Sequence, residues 1–129
     1  MICHQYILDN EFRPVPEPDL LKWARWFEDA KRQVTLHKLG PVRVSTVFLG
    51  LDHSFRSGSP PVLWETMIFG GKLDGAQARC SGNKEQAEAM HVSMHKELIA
   101  DWRNFTWRKF SNRKRRLKAL RKMRKIPHA

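Results

Sequence analysis

Two segments, Val42–Leu51 and Val62–Phe69, are apolar on both of their alternating faces, and this constrains the fold more than any other feature of the chain. In the first, Val44, Thr46 and Phe48 fall on one side and Val47, Leu49 and Leu51 on the other. In the second, Val62, Trp64 and Ile68 alternate with Leu63, Met67 and Phe69. Strand side chains alternate with a period of two, so a sheet with one wet face would show a polar residue at every second position. Neither face is polar here, and both must be covered, by helices on one or both sides or by a second copy of the chain. The expected fold is α+β: a small, mostly antiparallel sheet of three to five strands packed with two or three helices, plus a basic C-terminal helix.

The remaining segments fill in that plan. Gln5-Tyr6-Ile7-Leu8 reads as a short first strand closed by a turn at Asp9-Asn10, and Pro14, Pro16 and Pro18 hold an extended connector. Asp19 is placed to cap a helix whose buried stripe is Leu20, Trp23, Ala24, Phe27 and Ala30, at three- and four-residue spacing. Val34-Thr35-Leu36 and a turn at Gly40-Pro41 lead into the first apolar strand, and Ser54 to Pro61 forms a polar loop before the second. Gly70-Gly71 closes that strand, and Gln77 to Cys80 adds an edge. Ser81 or Asn83 then caps a helix through Glu85, Ala87, Met90, Met94 and Leu98.

Charge divides the chain. Its net charge is +11, from 24 Lys and Arg against 13 Asp and Glu, and the last acidic residue is Asp101. Twelve of the cations follow Trp102, so residues 1–101 carry about −1 and the basicity belongs to the tail. The expected organisation is therefore an α+β domain over 1–110 and a basic helical extension over 111–129. Cys3 and Cys80 are too few and too far apart for a disulfide framework or a paired-cysteine zinc site. No apolar run reaches the roughly 18–20 residues of a membrane-spanning helix, and Met1 to Asp9 lacks the basic flank and apolar stretch of a secretory signal. A cytoplasmic location, that of a host cell, and no membrane partner are expected.

Asp19-Leu20-Leu21-x-Trp23-Ala24-x-Trp26-Phe27-Glu28, then Val44-Ser45-Thr46-Val47-Phe48-Leu49-Gly50-Leu51-Asp52-His53, resemble a family of small proteins of tailed phages and prophages. Pro61-x-Leu63-x-Glu65-Thr66-Met67-Ile68-Phe69-Gly70-Gly71 and Glu88-Ala89-Met90-His91 continue the likeness, which covers roughly residues 5–95. The resemblance implies a phage-type accessory protein and no particular chemistry. The chain departs from it at Cys80-Ser81-Gly82-Asn83, where an aromatic residue and a Ser- or Thr-initiated helix are expected, and the basic tail lies beyond it.

Five residues in the body are candidates for chemistry. Glu65 sits mid-strand between Leu63 and Met67, where an ionised carboxylate needs a partner or takes up a proton. If residue 53 pairs with 61, Glu65 lies opposite Leu49 and shares a face with His53. Asp52-His53 ends a strand before a Gly/Pro loop, a common place for ligand-binding groups. His91 and His95, four apart on a helix, are candidate metal ligands with His53 or Glu65 as a third. The alternative for both is structural: an ion pair for Glu65, and hydrogen bonds to the sheet for the histidines. An Asp-His followed by a strand and a helix bearing Asn83 and His91 also suggests a metal-dependent nuclease, but the strand precedes Asn83 instead of following it. No phosphate-cradling glycine loop or serine elbow is present, so neither an enzyme nor a cofactor is the leading expectation.

The tail carries the stronger signal. Arg113, Lys114, Arg115, Arg116, Lys118, Arg121, Lys122, Arg124 and Lys125 place nine cations in thirteen positions among Leu117, Ala119, Leu120 and Met123, with Pro127 as the stop. Like charges at this density oppose a helix in water, and a polyanion relieves the repulsion. Upstream, Arg108 and Lys109 neighbour Trp107 and Phe110, while Trp102 and Phe105 extend the preceding stripe and are expected to dock on the body. The expected function is non-specific binding of DNA or RNA through phosphates. The alternative is a small protein that binds and inhibits a host or defence factor.

Overall fold

A computed structural model of the chain describes residues 3–54 and 58–111, with 104–111 described by backbone alone. It is α+β. A short antiparallel pair, β1 (Tyr6–Leu8) and β2 (Pro14–Pro16), precedes helix α1 (Leu20–Asp29). An antiparallel sheet follows, in the order β3 (Gln33–Leu39), β4 (Val42–Phe48), β5 (Val62–Phe69) and β6 (Gln77–Ser81), and helix α2 (Lys84–Ser111) ends the described chain. Two units divide within α2, Met1–His95 and Lys96–Ala129, upstream of the change in charge.

Most boundaries follow local chemistry. Asp19 caps α1 by accepting from the N–H groups of Leu21 and Lys22, at 3.0 and 3.2 Å. Asn83 caps α2 reciprocally: its Oδ1 accepts from Gln86 N at 2.9 Å, and Gln86 Oε1 accepts from Asn83 N at 3.1 Å. Asn83 thus supplies a working helix start at the departure from the phage-family pattern. The two-residue loop Gly40-Pro41 has glycine at φ +58°, and proline in second place restricts the turn to the primed type with glycine first.

The proline stretch differs from its expected role as a mere connector. Pro14 and Pro16 pair with Leu8 and Tyr6, while the flanking bonds Asp9 N→Arg13 O and Glu17 N→Gln5 O set the ladder's phase. In that phase both prolines occupy non-hydrogen-bonded positions, so the N–H they lack would point away from the partner.

Phe48, Leu63, Trp64 and Ala87 form the buried core, joined by Val44, Thr46, Thr66 and Ile68 on the inner side of β4 and β5. Phe48 meets Trp64 edge-on at 5.0 Å and Trp26 of α1 at 5.9 Å. The buried side of α1 is therefore Trp23, Trp26, Phe27 and Ala30, correcting the expected stripe: Leu20 and Ala24 are exposed. The Trp23 indole turns the helix, donating to the carbonyls of Tyr6 and Gly50 at 3.1 and 3.0 Å.

Among the described residues the second face of the sheet is only half covered, the situation in which a second copy of the chain was the expected alternative cover. Ser45 is buried there, but Val47, Leu49 and Met67 are partly open and Phe69 is 40% exposed. Gly50 ends β4 at φ +77°, where a Cβ would stand 3.1 Å from the Phe27 ring. Gly50→Ala should cost about 1–3 kcal/mol, read as a lower urea midpoint; an unchanged midpoint would mean that α1 yields freely at this contact.

Candidate functional site

The most connected polar cluster in the described residues centres on His91. Ala87, His91 and Met94 face inward from the first turns of α2, so His91 occupies the middle of the buried stripe and not its flank, with 1% exposure. Beneath it, β4 and β5 place Thr46 opposite Thr66. His91 Nδ1 lies 2.7 Å from Thr46 Oγ1, which lies 2.6 Å from Thr66 Oγ1. His91 Nε2 lies 2.7 Å from His37 Nδ1 on β3. The exposed His37 ring in turn stacks on His95, with centroids 4.5 Å apart and planes 13° from parallel. Burial, then the neighbouring His37 and His95, hold the His91 imidazole below its ordinary range.

His37 is the member that sequence reasoning missed. Its strand was expected to end at Leu36, but it runs to Leu39 and pairs His37 with Val44. The two-residue turn at Gly40-Pro41 carries the signal, since it fixes Leu39 against Val42 and so His37 on the inner side with Thr46.

The geometry of these histidines does not suit them as the candidate metal ligands. Both nitrogens of His91 are committed, and rings as parallel as His37 and His95 direct their in-plane lone pairs side by side without convergence. Among the described residues no group of three or more His, Cys, Asp or Glu is placed to hold a metal ion. Neither candidate third ligand is near, because Glu65 is paired elsewhere and His53 bonds beside Val62, four residues and about 13 Å along β5 from Thr66. For the same reason Asp52, His53 and His91 are not brought together as a nuclease centre would require.

Glu65 takes the structural alternative. Glu65 opposes Val47 on one side, not Leu49, and Arg79 on the other; between Leu49, bonded to Leu63, and His53, bonded to Val62, the chain is three residues longer than the stretch it faces. Its Oε2 accepts from Arg79 Nε at 2.7 Å. Asp52 is a loop staple: its Oδ1 accepts from the N–H groups of Ser54 and Val62 at 2.8 and 2.9 Å. Burial pushes its carboxyl up, but those two bonds outweigh it and hold the group below the usual carboxylate range. His53 Nδ1 donates to the Leu51 carbonyl at 2.8 Å. His53, Ser54, Ser59, Pro60, Val62, Arg79 and Ser81 line an open cleft of about 510 Å³. Glu65 offsets the Arg79 charge, so these described groups give the cleft no excess of positive charge.

Cys3 and Cys80 are free thiols, and burial pushes the Cys80 thiol up, away from the reactive thiolate. In the basic segment, α2 carries Arg108 and Lys109 on helical backbone up to Ser111. Arg113, Lys114, Arg115, Arg116, Lys118, Arg121, Lys122, Arg124 and Lys125 lie outside the described residues. Trp102 is 50% exposed. No helix among the described residues is long and apolar enough to cross a membrane. No protein-family model, curated protein or solved structure matches the chain.

Proposed function

We propose that the protein is a phage-type accessory factor that binds nucleic acid without sequence preference through its basic C-terminal segment. The observation that carries this reading is the charge partition: twelve Lys and Arg and no Asp or Glu follow Trp102. Such a segment displaces condensed counterions from phosphates, a term that supplies affinity without reading bases. The α2 backbone supports the reading because it is helical to Ser111, at the threshold of the nine-cation stretch.

Fluorescence anisotropy with duplex DNA, single-stranded DNA and structured RNA tests it, comparing the full chain with one ending at Phe110 across a salt series. Binding by the full chain alone, falling steeply with salt, is the expected result. Equal binding by both chains, or by neither near physiological salt, overturns it.

A second reading, binding and inhibition of a host or defence factor, rests on the half-covered sheet face. Phe69 and Leu36 expose 40% and 39% of their surface there. Aromatic and aliphatic groups of this kind anchor protein interfaces.

A further inference from the structure

We infer that His37, His91 and His95 form a proton-operated latch, which holds the first part of α2 on the β3–β4 side of the sheet at neutral pH and releases it under mildly acidic conditions. The inference stands apart from the nucleic-acid reading, because every residue in it belongs to the unit Met1–His95.

The direction of the hydrogen bonds follows from counting protons. Each of the three gaps, Thr66–Thr46, Thr46–His91 and His91–His37, holds one. Thr66 is fully buried, and Thr46 is the one side-chain partner of its hydroxyl. The chain therefore runs outward. Thr66 donates to Thr46, Thr46 donates to His91 Nδ1, and His91 Nε2–H donates to His37 Nδ1. In the reverse direction the Thr66 hydroxyl proton would have no side-chain acceptor among the described residues, which is the unfavourable state of a buried polar group. The network so assigned makes His91 the Nε2–H tautomer and His37 an acceptor at Nδ1.

A proton has no comfortable place in that arrangement. Entering at His91 Nδ1, it meets the Thr46 hydroxyl proton and puts a cation at a site with 1% exposure. On the other side of the ring the 2.7 Å bond from His91 Nε2–H to His37 Nδ1 is already made, and His95 stacks on His37 with centroids 4.5 Å apart.

The surroundings offer no relief. Facing His91 from β4 and β5 are Thr46 and Thr66, neither ionisable; from β3 comes His37, and from α2 itself His95. On the preceding turn of α2, Glu88 pairs with Lys84. Among the described residues no carboxylate forms an ion pair with any of the three rings.

The sign of the effect is fixed by linkage. His91 is held neutral in the folded state, so the released state binds the extra proton. Stability conferred by the latch is complete above the ordinary imidazole range of about 6.5 and is lost as pH falls through and below it. One proton taken up on release lowers the latched-to-released ratio with a slope that steepens toward about tenfold per pH unit below that range.

Two measurements test this. Amide hydrogen exchange, normalised to intrinsic rates, should show residues 88–95 losing protection by about fivefold between about pH 6.5 and 5.5, while amides of β4 and β5 stay protected. His91→Gln retains an acceptor for Thr46 and an N–H for His37 without titrating, and should flatten that profile. Matching profiles for wild type and variant, or simultaneous loss of protection in β4 and β5, overturn the latch. Nitrogen-15 spectra of the wild-type histidines remain decisive if the variant does not fold. They should show His91 as the Nε2–H tautomer at pH 7, gaining its second proton only as residues 88–95 open. Conversion to imidazolium with α2 still protected overturns the inference.

Discussion

Replacing Arg115, Arg116, Arg121 and Arg124 together by glutamine should lower affinity for duplex DNA about a thousandfold at 0.15 M salt. The estimate comes from counterion release. Each phosphate neutralised on B-DNA contributes about 0.9 to the slope of log affinity against log salt, so four lost contacts reduce the slope by about 3.6. Extrapolated from 1 M salt, where the released counterions confer no advantage, that difference is about three powers of ten at 0.15 M.

The quadruple variant also has to separate charge from helicity. Glutamine is as good a helix former as arginine, so the substitution removes charge while leaving backbone preference in place. Circular dichroism of the free protein should change little, or gain helix as repulsion at i and i+4 spacing is relieved. Affinity should fall by a similar factor for every duplex sequence, because phosphate contacts carry no base information. Unchanged affinity would remove these four arginines from the interface. A loss confined to one sequence would instead assign them to base edges, where each bidentate contact discriminates by about 1–3 kcal/mol.

The sheet was legible because its physical causes are local. Val62–Phe69 was read with its full bounds, since a mostly apolar run between a Pro pair and a Gly pair leaves a strand few alternatives. Asp19 was legible as a cap, and Asn83 as one of two choices with Ser81, because a short polar side chain before a periodic segment satisfies N–H groups within its own turn. What escaped the sequence was long-range register. Glu65 faces Val47, two residues from the expected Leu49, because a symmetric closing of the Ser54–Pro61 loop does not describe how β4 meets β5. The face of α1 was misjudged for a related reason. Trp26 and Leu20 both suit a buried stripe, and the choice between them is made by Phe48, a residue distant in sequence. His91 and His95 were noticed as a helical pair, but their partners Thr46, Thr66 and His37 come from three strands that no spacing rule connects to them. The tail is the opposite case, since its charge is evident from composition alone.

Trp64→Ala should cost about 3–5 kcal/mol of unfolding free energy, a large share of the roughly 5–15 kcal/mol typical of a domain. Trp64 is fully buried, meets Phe48 edge-on at 5.0 Å, and donates its indole N–H to the Gly82 carbonyl at 2.9 Å. It thus fills the core and ties β5 to the residue before the α2 cap. Trp64→Phe separates the two roles. It keeps an aromatic ring beside Phe48 but removes the donor to Gly82, for an expected cost of about 1–3 kcal/mol from the lost bond and the smaller ring. Urea unfolding followed by far-ultraviolet circular dichroism measures both, and a Trp64→Ala protein within about 1 kcal/mol of wild type would mean that this face is not the centre of the core. The same pair of variants bears on function. At a temperature where Trp64→Phe remains folded, it should retain the wild-type salt slope for nucleic acid, because the cations assigned to phosphates all follow Trp102. A slope that falls with the loss of one buried indole would bring the sheet into the interface and overturn a reading based on the tail alone.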